Sequence, residues 1–114
     1  MKSIIFFLLM MPLFALATDP AADGGNVTEK FKVYGNCGMC KSRIEKALAV
    51  KGVRYAAWDQ QTKMLTVKFN PELISLQELH QRCADVGHDT ELVKAKDDVY
   101  QNLHGCCQYD REKS

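Results

Sequence analysis

The sequence predicts an α+β sandwich, a four-stranded antiparallel sheet with two helices on one face and a short helical tail. Three observations carry this. Period-two strand patterns and period-3.6 helix patterns follow one another as strand, helix, strand, strand, helix, strand. The two central strands are joined by only four turn residues, which makes them an antiparallel hairpin. Each helix pattern stops at a glycine, Gly52 or Gly87.

The first 17 residues stand outside this pattern. One positive charge, Lys2, precedes an apolar run over residues 4–16, and Ala15-Leu16-Ala17 is an A-x-A cleavage pattern. This reads as a secretory signal peptide cut near Ala17-Thr18. The run is short for a bilayer span and contains Pro12, and Ala17 is followed directly by Thr18 rather than by a cysteine, so neither a membrane anchor nor a lipoprotein is expected. The expectation is export, to a bacterial periplasm, without stable membrane insertion after cleavage. Residues 18–26 are polar and carry paired glycines, as a flexible leader does. The rest forms one small domain over 27–95 and a cysteine-containing tail over 96–114. Without Lys2 the basic residues fall from 15 to 14, against 14 acidic ones, so the basic excess of a nucleic-acid binder is missing.

In chain order, Val27 to Tyr34 alternates as a half-buried strand, with Phe31 and Val33 on one face. A loop, Gly35-Asn36-Cys37-Gly38, leads into a helix over Met39 to Val50 whose buried stripe is Cys40, Ile44, Ala47 and Leu48. Val53 to Asp59 is a second strand. Gln60 to Lys63 turns, and Met64 to Phe69 is a third strand with Leu65, Val67 and Phe69 inward. Ser75 and Glu78 form a capping box for a helix with Leu76, Leu79, Cys83 and Val86 buried. His88 to Ala95 is a fourth strand. Asp97-Asp98 starts a short helix through Leu103, which Gly105 ends. Two right-handed crossover halves in this order give the ferredoxin-like split βαβ arrangement. Trp58, Tyr55, Met64 and Phe69 read as sheet and core packing.

The chemistry concentrates in Cys37 and Cys40. Five cysteines, Cys37, Cys40, Cys83, Cys106 and Cys107, cannot all pair within one chain. A C-x-x-C at a helix start places two thiols where free N–H groups and the helix dipole stabilise thiolates, and Lys41 adds positive charge. Such a pair can hold one soft ion, Cu(I), Zn(II) or Hg(II). It can equally run thiol–disulfide exchange, with Cys37 as nucleophile and Cys40 as resolver. A purely structural disulfide is disfavoured, because so short a loop yields little entropic stabilisation.

The stretch Gly35-Asn36-Cys37-Gly38-Met39-Cys40-Lys41-Ser42-Arg43-Ile44-Glu45-Lys46-Ala47-Leu48, followed by two strands, a helix and the Gly87-His88 turn, resembles the heavy-metal-associated domain family over residues 28–95. That family includes copper chaperones, amino-terminal domains of metal-exporting P-type ATPases and periplasmic mercury-binding proteins. The resemblance implies that Cys37 and Cys40 are the metal ligands. It also implies that His88, in a turn beside the loop, tunes metal release as a ligand or hydrogen-bond partner, the equal alternative being a solvent-facing turn histidine. Many members carry methionine two residues before the first cysteine. This sequence has Gly35 there, which implies a looser loop or Met39 in the methionine's place.

Cys106 and Cys107 are extra to the minimal family domain. They can fold over the loop and donate a thiolate, form a second site with His104, or resolve Cys37 and Cys40, although adjacent cysteines do not easily aim at one ion. Cys83 reads as core and His80 as a boundary residue. Lys41, Arg43 and Lys46 form a basic face that can dock an acidic partner.

The function expected is an exported soft-metal carrier or scavenger rather than an enzyme. It takes one ion, Cu(I) first, with Hg(II) or Zn(II) as alternatives. Its partner is a metal-transporting membrane protein or another thiol-rich carrier, reached by thiolate ligand exchange. A mercury-binding protein is the first alternative and a thiol–disulfide oxidoreductase the second. The oxidoreductase is disfavoured because Pro71, the one proline after the leader, precedes a helix rather than a strand facing the motif. A subunit that only docks on a membrane complex is a third.

Overall fold

The computed structural model describes residues 25–111. The expected signal peptide and most of the leader lie outside the described residues. No helix among the described residues is long and apolar enough to cross a membrane.

Strand β1 (Val27–Lys32) and strand β2 (Val53–Trp58) both pair antiparallel with β3 (Met64–Phe69), giving the order β1-β3-β2. The period-two pattern of β3 decides its faces: Leu65, Val67 and Phe69 are buried. Helix α1 (Gly38–Ala47) contributes Cys40 and Ile44 to the same core, with Leu48 just beyond it. Helix α2 (Leu76–Asp85) contributes Leu79 and Cys83. The Ser75 hydroxyl accepts the Glu78 N–H at 3.0 Å, a cap worth about 1 kcal/mol. Gly87, at φ 105°, ends the helix as the His88 N–H returns to the Cys83 carbonyl at 3.0 Å.

The fourth strand does not form, so the sheet has three strands among the described residues. Thr90 is the reason. Its hydroxyl accepts the N–H groups of Leu92 and Val93 at 3.1 and 3.0 Å, and its own N–H donates to the Val93 carbonyl. This local network turns the chain where a strand would continue. One antiparallel bridge, Val33 to Thr90, ties the segment to the end of β1, and the Glu91 carboxylate takes the Lys32 N–H at 2.7 Å.

The tail is built into the core. Helix α3 (Asp97–Gln101) is shorter than expected, and Gly105 opens a 3-10 turn, Gly105–Cys107, instead of closing a helix. The turn lets Leu103, Cys107 and Tyr109 reach the core. The Tyr109 hydroxyl donates to the Gly87 carbonyl at 2.7 Å and accepts the Asp89 N–H at 2.8 Å. Arg111 forks onto both Asp89 oxygens at 2.9 and 2.8 Å and reaches the Ala95 carbonyl. Two packing expectations change. Tyr55 lies 56% exposed, and His80 is buried, stacked on Phe31 and 2.6 Å from the Thr90 hydroxyl.

Candidate metal centre

The loop before α1 is held from below by Trp58. A Cβ on Gly35 would lie 3.0 Å from the Cys40 Cβ and 3.1 Å from the indole ring. Trp58 is fixed there because its ring N–H donates to the Val33 carbonyl at 2.9 Å, buried from water. The space that a methionine would fill is therefore taken by tryptophan. Met39 does not fill it: it is 44% exposed, with its sulfur 3.6 Å from Cys106 Sγ.

Cys37 caps α1 and Cys40 sits in its first turn, so both thiols face one point. Cys37 Sγ lies 3.6 Å from Cys40 Sγ, 3.3 Å from Cys106 Sγ and 3.5 Å from Cys107 Sγ. Ligand atoms of Cys37, Cys40 and Cys107 all fall within 4.8 Å of one another. All five cysteines are free thiols. The adjacent pair Cys106-Cys107 does converge on the loop, because the 3-10 turn leaves their sulfurs 4.0 Å apart with both near Cys37. His104 is exposed and is not part of the cluster.

The four thiols differ in acidity. Partial burial pushes Cys37 up, but hydrogen bonds with the Cys106 side chain, the Cys40 backbone N–H and the Cys107 and Cys40 side chains together outweigh it and hold the thiol at about 6. Burial raises Cys40 to about 11, although the Asn36 N–H at 3.3 Å opposes it. Cys106 is raised by its hydrogen-bond contact with Cys37, and Cys107 because it is buried. One thiolate surrounded by thiol donors is a nucleophile and also a first ligand for a soft cation. Cys83, raised to about 12 by burial in the core, is inert packing, as expected.

His88 is buried and stands outside the sulfur group. Its Nδ1 lies 2.8 Å from the Tyr34 carbonyl, which can only accept, so Nδ1 carries the proton. Nε2 then presents its lone pair to Arg43 Nη1 at 3.5 Å, and the same Nη1 donates to Cys107 Sγ at 3.2 Å. Desolvation holds His88 at about 4, hence neutral. Arg43, read from the sequence as part of a basic face, is thus the link between histidine and thiols. Its position three residues after Cys40, one helical turn on, was the available signal. Lys41 turns away from the thiols, to Glu45 and to the Trp58 carbonyl.

No family model matches the chain, and no curated protein does. Solved structures do. The fold matches oxidised MerP from Ralstonia metallidurans CH34 with 28% identity and a TM-score of 0.55, over 58% of this chain and 94% of that one. It matches the amino-terminal domain of a potential copper-translocating P-type ATPase from Bacillus subtilis, solved in its Cu(I)-loaded state, with 28% identity and a TM-score of 0.54, over 63% and 92%. A ZiaAN sub mutant is 34% identical with a TM-score of 0.51, over 57% and 94%.

Proposed function

This chain belongs to the heavy-metal-associated domain family, and on that premise we propose that it is an exported carrier or scavenger of one soft metal ion, Cu(I) in the first place. Cys37 and Cys40 hold the ion, and it leaves by ligand exchange with the thiolates of a metal-transporting membrane protein or another thiol-rich carrier. The observation that supports this reading is the convergence of free sulfurs on Cys37 at a helix start. Sulfur-only ligation selects soft ions over those that prefer oxygen. The ion is cargo, so the thiolates must remain open to attack, and Cys37 is partly exposed.

Hg(II) is the second reading. The likeness to MerP supports it, and bis-thiolate chemistry fits it equally. Anaerobic titration of the reduced protein tests both. One equivalent of Cu(I) should bind against a chromophoric competitor, and Cys37→Ser should abolish that binding. Tighter retention of Hg(II) than of Cu(I) against matched thiol competitors would favour mercury. The acidic Cys37 thiol also suits disulfide exchange, so turnover of a disulfide substrate with weak metal binding would overturn the carrier reading.

A further inference from the structure

We propose that Cys107 supplies a third thiolate to the ion held at Cys37 and Cys40, and that Arg43, oriented by His88, is the built-in counter-charge of this three-sulfur site. The inference rests on the metal-carrier reading and adds to it a coordination number and a positioning pair.

Spacing favours a third ligand, and Cys107 is the one whose sulfur lies within 4.8 Å of both Cys37 and Cys40. With metal–sulfur bonds of about 2.3 Å, a linear two-thiolate site needs its sulfurs about 4.6 Å apart, whereas a trigonal site needs about 4 Å. Cys37 and Cys40 are 3.6 Å apart, and Cys37 and Cys107 are 3.5 Å apart. Both separations are within about 0.5 Å of the trigonal value and about 1 Å short of the linear one. The third sulfur needs no folding step to arrive. Cys107 is buried in the core, and the tail is pinned by Tyr109 on Gly87 and Arg111 on Asp89.

Charge makes the same point. Three thiolates around a monovalent ion leave two net negative charges, and around a divalent ion one. A site partly withdrawn from water needs a cation to offset them. Arg43 Nη1 donates to Cys107 Sγ at 3.2 Å and is held from its other side by the neutral His88 Nε2 at 3.5 Å. His88 is in turn fixed by the Tyr34 carbonyl. Loading displaces the thiol protons to solvent and moves no electrons. A partner must then compete with three sulfurs rather than two, which slows release.

X-ray absorption at the copper edge of the reduced full chain loaded with one equivalent of Cu(I) tests the proposal, alongside competition for Cu(I) by bicinchoninate. Three sulfurs are expected in the wild type and two in Cys107→Ser. Arg43→Gln should keep three sulfurs and lose about 10-fold to 100-fold in affinity, with Arg43→Lys recovering part of the loss. If Cys107→Ser fails to fold, the wild-type coordination number and the two Arg43 variants still decide. A two-sulfur wild type at one ion per chain overturns the third ligand and leaves the carrier reading standing. Copper retained by Cys37→Ser, or none bound by the wild type, overturns both. Equal affinity in Arg43→Gln and wild type overturns the counter-charge.

Discussion

Gly35 and Trp58 show how one residue choice sets the shape of the loop. The ring occupies the floor beneath the thiols, so a larger side chain at position 35 has nowhere to go. Gly35→Met should overpack the site and cost about 1–3 kcal/mol, read from chemical denaturation. Adding Trp58→Leu should recover part of the loss, and a fully neutral Gly35→Met would remove Trp58 from this role. His88 makes a pH prediction. Its folded value, held at about 4 by burial, lies below the ordinary 6.5, so below about pH 6.5 the unfolded chain binds the extra proton first. Stability is therefore full above 6.5 and falls as pH drops towards 4, by about 3 kcal/mol from this group. His80, also lowered by burial, acts in the same direction. Urea midpoints at pH 7 and pH 5 check this, and His88→Gln should flatten the difference. A midpoint unchanged over that range in the wild type would contradict neutral burial. Sequence could place Cys37 and Cys40 because a C-x-x-C at a helix start is local. It could not bury His80, whose partner Thr90 is ten residues away on a turn.

Among the elements, periodic ones were legible and the hydrogen-bonded irregular ones were not. β3, α1 and α2 follow from spacing alone, and the Ser75 cap from one residue type. The segment after Gly87 has strand-like residues, yet the Thr90 hydroxyl competes for the backbone N–H groups and wins. The tail resisted reading for a related reason. Its order comes from single long-range partners, Leu103 against Gly87 and Arg111 on Asp89, which leave no period in the sequence. These partners should matter for stability. The Asp89 carboxylate is buried from water and takes two bonds from Arg111, which hold it below the usual carboxylate range against the upward push of burial. Arg111→Met leaves that charge uncompensated and should cost about 3 kcal/mol or more. Calorimetry of the folded chain measures this. A change under about 0.5 kcal/mol, the size of a surface pair, would show that the tail is not braced there.

At the scale of the whole molecule, the three-stranded sheet of the described residues and helices α1 and α2 present a thiol loop at a helix start, and the tail folds back to bring two more sulfurs to it. The sandwich explains why the thiols converge, and the tail explains why Arg43 and His88 belong with them. The central claim is that these sulfurs exist to hold a soft ion. Equilibrium competition for Cu(I) under anaerobic, reducing conditions tests it most directly, comparing wild type with Cys37→Ser/Cys40→Ser. The wild type should withdraw one Cu(I) per chain from the competitor and the double variant none. A wild type that yields all its copper to the competitor, or a double variant that keeps one ion, would contradict the account.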